Sequence, residues 1–235
     1  MTHPIPLLSA AAAGLLTFMV LFGIAEGASQ QQFELVDTLA NYSAELLAQA
    51  NAIRIIIGFD NVFIALYTSV IVLIIVQLKR DNKAPRELLY TILGCGLIAG
   101  SLDFLENFHI LTMLSGIEVG VAIDPAEMKQ QMIWSMLKWH LSYFAFFLMA
   151  FALHPRTLLE RLFCFSLLFI QMPVGVFFYI LEGSTIGDIL FYARYGNLVF
   201  GFLIIGAIFH MRANPSMTTS NNIRDNMTKT SLAPH

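Results

Sequence analysis

Charge is what this chain has least of. Asp, Glu, Lys and Arg make up 12% of its 235 residues, roughly half the share found in ordinary soluble domains, which excludes a water-exposed surface over most of its length. Cysteine is nearly absent. Cys95 and Cys164 both lie inside apolar runs, where a thiol behaves as a small hydrophobe, and neither a Cys-x-x-Cys pair nor a Cys/His zinc spacing exists. The net charge of -3 comes without a basic patch, so nucleic acid is excluded as a partner. No phosphate loop, nucleophile elbow or nucleotide-binding pattern occurs, which argues against ATP hydrolysis and serine-hydrolase chemistry. No internal repeat is visible, which weakens transporter architectures built from inverted repeats.

What remains is hydrocarbon. Hydrophobic residues reach 57%, Phe alone contributes 20, and the mean hydropathy is +0.70, so lipid is the main solvent. Crossing the bilayer takes about 20 predominantly apolar residues. Six runs qualify: Ile5 to Ile24, Ile53 to Leu78, Leu88 to Leu111, Met132 to Leu153, Leu162 to Leu181 and Ile189 to Met211. The expected fold is an all-α, polytopic bundle of six transmembrane helices over residues 1–212, followed by a disordered cytoplasmic tail, 213–235, rich in Ser, Thr and Asn.

Orientation follows from Lys and Arg, whose translocation is resisted. Lys79, Arg80, Lys83 and Arg86 follow the second span, Arg156 and Arg161 the fourth, and Arg212, Arg224 and Lys229 the sixth. The alternate links are acidic: Glu26, Glu34, Asp37 and Glu45, then Glu118, Asp124 and Glu127, then Glu182 and Asp188. This alternation predicts a multi-pass protein of a bacterial inner membrane with both termini in the cytoplasm. The first span has an alternative reading as a signal peptide, since Ala25 and Gly27 offer a small-residue cleavage pattern, although a basic n-region is lacking. Phe33 to Ala52 reads as an outer amphipathic helix, with Phe33, Val36, Leu39 and Ala40 at helical spacing; a solvated connector is the alternative.

The polar residues inside the spans share one level. Asp60 and Asn61 lie in the outer part of the second span, Asp103, Glu106, Asn107 and His109 in the outer half of the third, Lys138 and His140 early in the fourth, and Arg194 and Asn197 early in the sixth. Ionisable side chains in hydrocarbon cost about 2.5 to 3.5 kcal/mol each on insertion scales, so they turn inward and find partners. Residues 103, 106 and 107 fall on one helix face, continued inward by Gly96 and Gly100, small residues that let helices approach closely. Phe104 and Phe108 fall on the lipid side. Lys138 has an alternative reading as a snorkelling residue. His140 points away from Lys138, while Trp134, Trp139, Tyr179, Tyr192 and Tyr195 suit an outer aromatic belt, with the pocket mouth as the alternative place for Tyr192 and Tyr195. Pro173, after Gln171, predicts a kink in the fifth span.

Three function classes follow. The leading one is a periplasm-facing acidic pocket formed by Asp60, Asp103, Glu106, Asn107, Lys138, Arg194 and Asn197, binding a small polar or cationic ligand, an ion or protons. Such a protein would serve as a sensor, accessory subunit or transporter, with lipid and a second membrane protein as partners. The second is a metal-dependent hydrolase of a lipid amide or ester, using zinc held by His109, His140 and a carboxylate; haem ligation by the same histidines is a variant. This chain departs from hydrolases of the alkaline ceramidase kind, which supply three histidines, usually with His-x-x-x-His. The third class is a scaffold whose polar layer fixes helix register without any ligand.

Overall fold

A computed structural model describes residues 4–34, 39–82, 84–181 and 184–214. The chain in these regions is all helical, with no sheet among the described residues. Seven helices form: α1 (Pro4–Glu26), α2 (Leu39–Ala48), α3 (Ala50–Asp81), α4 (Arg86–Glu118), α5 (Pro125–Ala152), α6 (Leu158–Ile180) and α7 (Thr185–Ala213). The tail from residue 215, and the positions around Val36 and Asp37, lie outside the described residues.

Local sequence signals set the ends of these helices. α1 stops in a Schellman motif, with Ala28 N–H donating to Gly23 O at 2.9 Å and Gly27 N–H to Ile24 O at 3.4 Å. Gly27 takes φ +63°, and a Cβ on Gly23 would meet Ala28 O at 2.5 Å. The two glycines therefore let the chain reverse tightly. Asp124 caps α5 ahead of Pro125 by accepting from Ala126 N–H at 2.8 Å. Thr157 and Glu160 form a capping box on α6, and Ser184 caps α7 through Gly187 N–H.

Five helices, α1, α3, α4, α6 and α7, are long and apolar enough to cross a membrane. The protein is therefore a multi-pass membrane protein by helix length and hydropathy. The expected fourth span belongs to α5, which is 28 residues long yet falls outside that group of five. Its first turns carry Glu127, Lys129, Gln130 and Gln131 and its middle carries Lys138 and His140, and these lower its apolar character.

The long helices pack as a ring in chain order: α1 on α3, α3 on α4, α4 on α5, α5 on α6, α6 on α7, and α7 back on α1. α5 thus completes the wall between α4 and α6. The short α2 rests on α3 and α4 at one end; the expected amphipathic helix Phe33 to Ala52 is broken into a 3-10 turn (Gln30–Phe33), α2 and the start of α3. Glu26, Glu118 and Asp124 gather at that end, and Arg80, Arg86, Arg156 and Arg212 at the other. Phe104, Phe108, Phe151, Phe165 and Phe200 are exposed on the outside of the ring, as lipid contact requires.

Two apolar clusters fill the interior. One, with Phe33, Ile53, Ile57, Ile110, Leu114 and Met128, lies toward the acidic end. The other, with Ile64, Ile71, Ile74, Leu89, Ala145 and Phe202, fills the remainder. Along α3, α4 and α5 the residues between these clusters are Asp60, then Asp103 to Asn107, then Lys138. The polar layer is sandwiched between hydrophobic floors.

α6 does not run as one regular helix. A π-helical turn, Leu167–Gln171, precedes Pro173, and widening the turn accommodates a residue that has no N–H to give.

Candidate functional site

The layer centres on Lys138. Its Nζ lies 2.7 Å from Glu106 Oε2, 3.0 Å from Asp103 Oδ1 and 3.1 Å from Glu34 Oε1. The three donors of an ammonium are matched to three carboxylates. Lys138 is buried, so its four-carbon stem carries the charge into the bundle and the snorkelling alternative does not hold. Glu106 is wholly enclosed, and Asp103 is nearly so.

Two further networks extend from this centre. Tyr67 donates its hydroxyl to Asp103 Oδ2 at 3.0 Å. Tyr67 can reach that oxygen because α3 and α4 approach closely at Gly100, where a Cβ would lie 2.5 Å from Thr68 Cγ2 and 3.4 Å from Tyr67 Oη. On the other side Asn107 donates to Asp60 Oδ2 at 2.7 Å and to Asn61 Oδ1 at 3.0 Å, and accepts from Gln30 Nε2 at 2.6 Å. Asn107 ties α4 to α3 and to the link after α1.

That link is the part sequence reasoning missed. Glu34 was expected on an outer, water-facing segment, but it is buried together with Gln30, Gln31 and Phe33. Phe33 packs edge-on against Tyr42 within the apolar cluster at the acidic end, and burying that ring draws its neighbour inward. Glu34 then receives Trp139 Nε1–H at 2.9 Å as well as Lys138. Burial opposes ionisation of Glu34, but the cations Lys138 and Arg194 and the Trp139 hydrogen bond outweigh it and hold the carboxyl below its ordinary range. Trp139, expected in an interfacial belt, is an internal hydrogen-bond donor.

Arg194 joins from α7. It is among the largest fully buried side chains, donates to Gln31 Oε1, and stacks its guanidinium 4.0 Å from the Trp139 ring centroid and 4.2 Å from that of Phe178. Asn197, grouped with this site from sequence, lies apart. It lines a separate, largely apolar cavity with Gln171, Phe146 and Phe202, because it is set almost a full turn beyond Arg194.

The histidines take separate partners. His109 Nδ1 lies 2.8 Å from Gln131 Oε1, with its ring edge-on to Trp134. His140 is exposed, donates Nδ1–H to Met136 O at 2.7 Å and leans on Tyr179. Among the described residues no three His, Cys, Asp or Glu side chains are grouped to hold a metal ion.

A cavity of about 370 Å³ opens beside the charged centre. Glu34, Asp60, Asp103 and Lys138 line it, with Ser29 to Gln32 from the link and with Trp139, Tyr192 and Tyr195. Glu34 alters the charge balance suggested by sequence. The layer holds four carboxyl groups (Glu34, Asp60, Asp103, Glu106) against two cations (Lys138, Arg194). Comparison of the chain with protein-family models, with curated proteins and with solved structures finds no match.

Proposed function

We propose that this multi-pass protein, six-spanning with α5 as the fourth crossing and both termini in the cytoplasm of a bacterium, binds a small cation or protons in the cavity beside Lys138. The positive charge on the links at one end supports that orientation, and it makes the cavity periplasm-facing. The observation that carries the reading is the surplus of carboxyl groups over cations in a buried layer, with Asp60 and Asp103 both bordering open volume. Uncompensated carboxylates in a low-dielectric site are costly, and a bound cation or a proton removes that cost.

Asp60 and Asp103 form the receiving edge. Glu106, Lys138 and Arg194 set the local field from behind, and Asn107 fixes Asp60. A small intramembrane domain with one such pocket suits a sensor, an accessory subunit or a transporter working with a partner membrane protein.

Thermal melting of the purified protein, followed across pH and across sodium concentration, tests the reading. The expected result is a stability that changes with proton or cation concentration in wild type and is flattened in both Asp103→Asn and Asp60→Asn. Equal dependence in all three proteins would overturn it and leave the layer as a structural scaffold.

A further inference from the structure

The cavity is lined by two kinds of wall. Glu34, Asp60 and Asp103 supply carboxyl groups from the link, α3 and α4, whereas α1 and α7 contribute Leu16, Met19, Val20, Phe191, Tyr192 and Tyr195. A bare metal cation is satisfied by several oxygen ligands at short range and gains nothing from the second wall. Protons need no cavity. A volume of about 370 Å³ lies within the range of pockets that hold small organic molecules, roughly 300 to 1,000 Å³.

From this lining we infer that the ligand is an organic ammonium with an apolar or aromatic body, its charged nitrogen against Asp60 and Asp103 and its hydrocarbon against α1 and α7. The inference rests on the cation-binding reading above and narrows it to a chemical class. Aromatic rings attract cations through their faces, and this bundle already uses that chemistry: Arg194 is stacked on Trp139 and Phe178 at 4.0 and 4.2 Å. Phe191 and Tyr192 pack edge-on against each other at 5.3 Å between centroids, Phe191 also packs against Phe178 of that stack, and both line the cavity, where they present aromatic surface to a ligand. An ammonium of this kind can reach the pocket either as a free amine or as the headgroup of an aminophospholipid, and both present the same nitrogen to the same carboxylates.

The chain provides its own reporter. It has two tryptophans, of which Trp139 lines the cavity and Trp134 packs edge-on against His109 instead. In Trp134→Phe protein, Trp139 fluorescence is titrated with phenethylammonium and, separately, with its uncharged counterpart 2-phenylethanol. The ammonium is expected to give a saturable change, at a concentration at least about tenfold below any effect of the alcohol, as loss of one charge-assisted hydrogen bond implies. Asp60→Asn is expected to weaken the ammonium by a similar factor. Tyr192→Leu, which leaves the carboxylate network untouched, is expected to weaken it severalfold.

Equal response to ammonium and alcohol, or no response to either while the proton or sodium dependence of melting persists, overturns this inference and leaves the cation reading standing. Absence of both effects overturns the two together. Repeating the titration in nanodiscs of phosphatidylglycerol, with and without phosphatidylethanolamine, separates the sources. Weakened binding in the mixed bilayer supports the lipid headgroup, and unchanged binding supports a free amine.

Discussion

Lys138 Nζ stands 3.1 Å from Glu34 Oε1, although 104 residues separate the two in sequence. The contact joins the middle of α5 to the link between α1 and α2. It therefore makes the first helix and its link part of the same structural unit as the central polar layer. A link held only by solvent would leave the charged centre open at its end. Here Phe33 fastens it by hydrophobic burial, Gln30 and Gln31 fasten it through Asn107 and Arg194, and Glu34 fastens it by charge.

Lys138→Met is expected to be strongly destabilising, because three buried carboxylates lose their shared cation. Removing one partner from a buried pair costs about 3 to 5 kcal/mol, and the site has no second lysine to substitute. Neutralising Glu106 in the same background (Lys138→Met with Glu106→Gln) removes one of the stranded carboxyl groups and is expected to recover part of the loss. Melting temperatures of wild type, the single variants and the double variant give the coupling energy. Additive losses would show that Glu106 and Lys138 do not act as a pair.

Glu34 gives a signed pH dependence. Its carboxyl is held below the ordinary value of 4.5, so the folded protein binds its proton less readily than the unfolded chain does. Stability from Glu34 is then fully present above the ordinary value and is lost as pH falls through the lowered folded value. Wild type should lose thermal stability as pH falls below the ordinary carboxyl value, and Glu34→Gln should start less stable at neutral pH and show a shallower acid loss. Parallel melting profiles for the two proteins would mean that Glu34 is ionised with equal ease in both states.

Much of the architecture is written in the sequence, because lipid imposes a simple rule: long apolar runs become helices and charge marks their ends. The inward turn of Asp103, Glu106 and Asn107 is legible for the same reason, since the i, i+3 and i+4 spacing puts them on the Gly96 and Gly100 face. Glu34 is not legible in this way. It follows Gln30-Gln31-Gln32 in a segment whose composition reads as solvated, and its burial comes from tertiary contacts of Phe33 that no helical period encodes. The same applies to Trp139, whose indole suits a membrane interface until Glu34 arrives to accept its hydrogen bond. Asn197 fails in the opposite sense: its i+3 spacing puts it near the face of Arg194 but almost a turn farther along α7, and so it lines the cavity around Gln171.

The long helix outside the group of five, α5, makes the sharpest topological prediction. If only the five most apolar helices crossed the bilayer, the two ends of the chain would lie on opposite sides and α5 would lie outside the hydrocarbon. That arrangement would tear Lys138 away from Asp103 and Glu106, which lie 3.0 and 2.7 Å from it, and would open the ring between α4 and α6. With α5 crossing, the ion pairs stay intact, Arg80, Arg86, Arg156 and Arg212 share one face of the membrane, and both termini lie on that face. Reporter fusions that fluoresce only in the cytoplasm are therefore expected to be bright at the N-terminus and at the C-terminus alike, and an alkaline phosphatase fused after Asp124 is expected to be active. A dark C-terminal fluorescent fusion paired with a bright N-terminal one would remove α5 from the membrane, and with it the cavity beside Lys138.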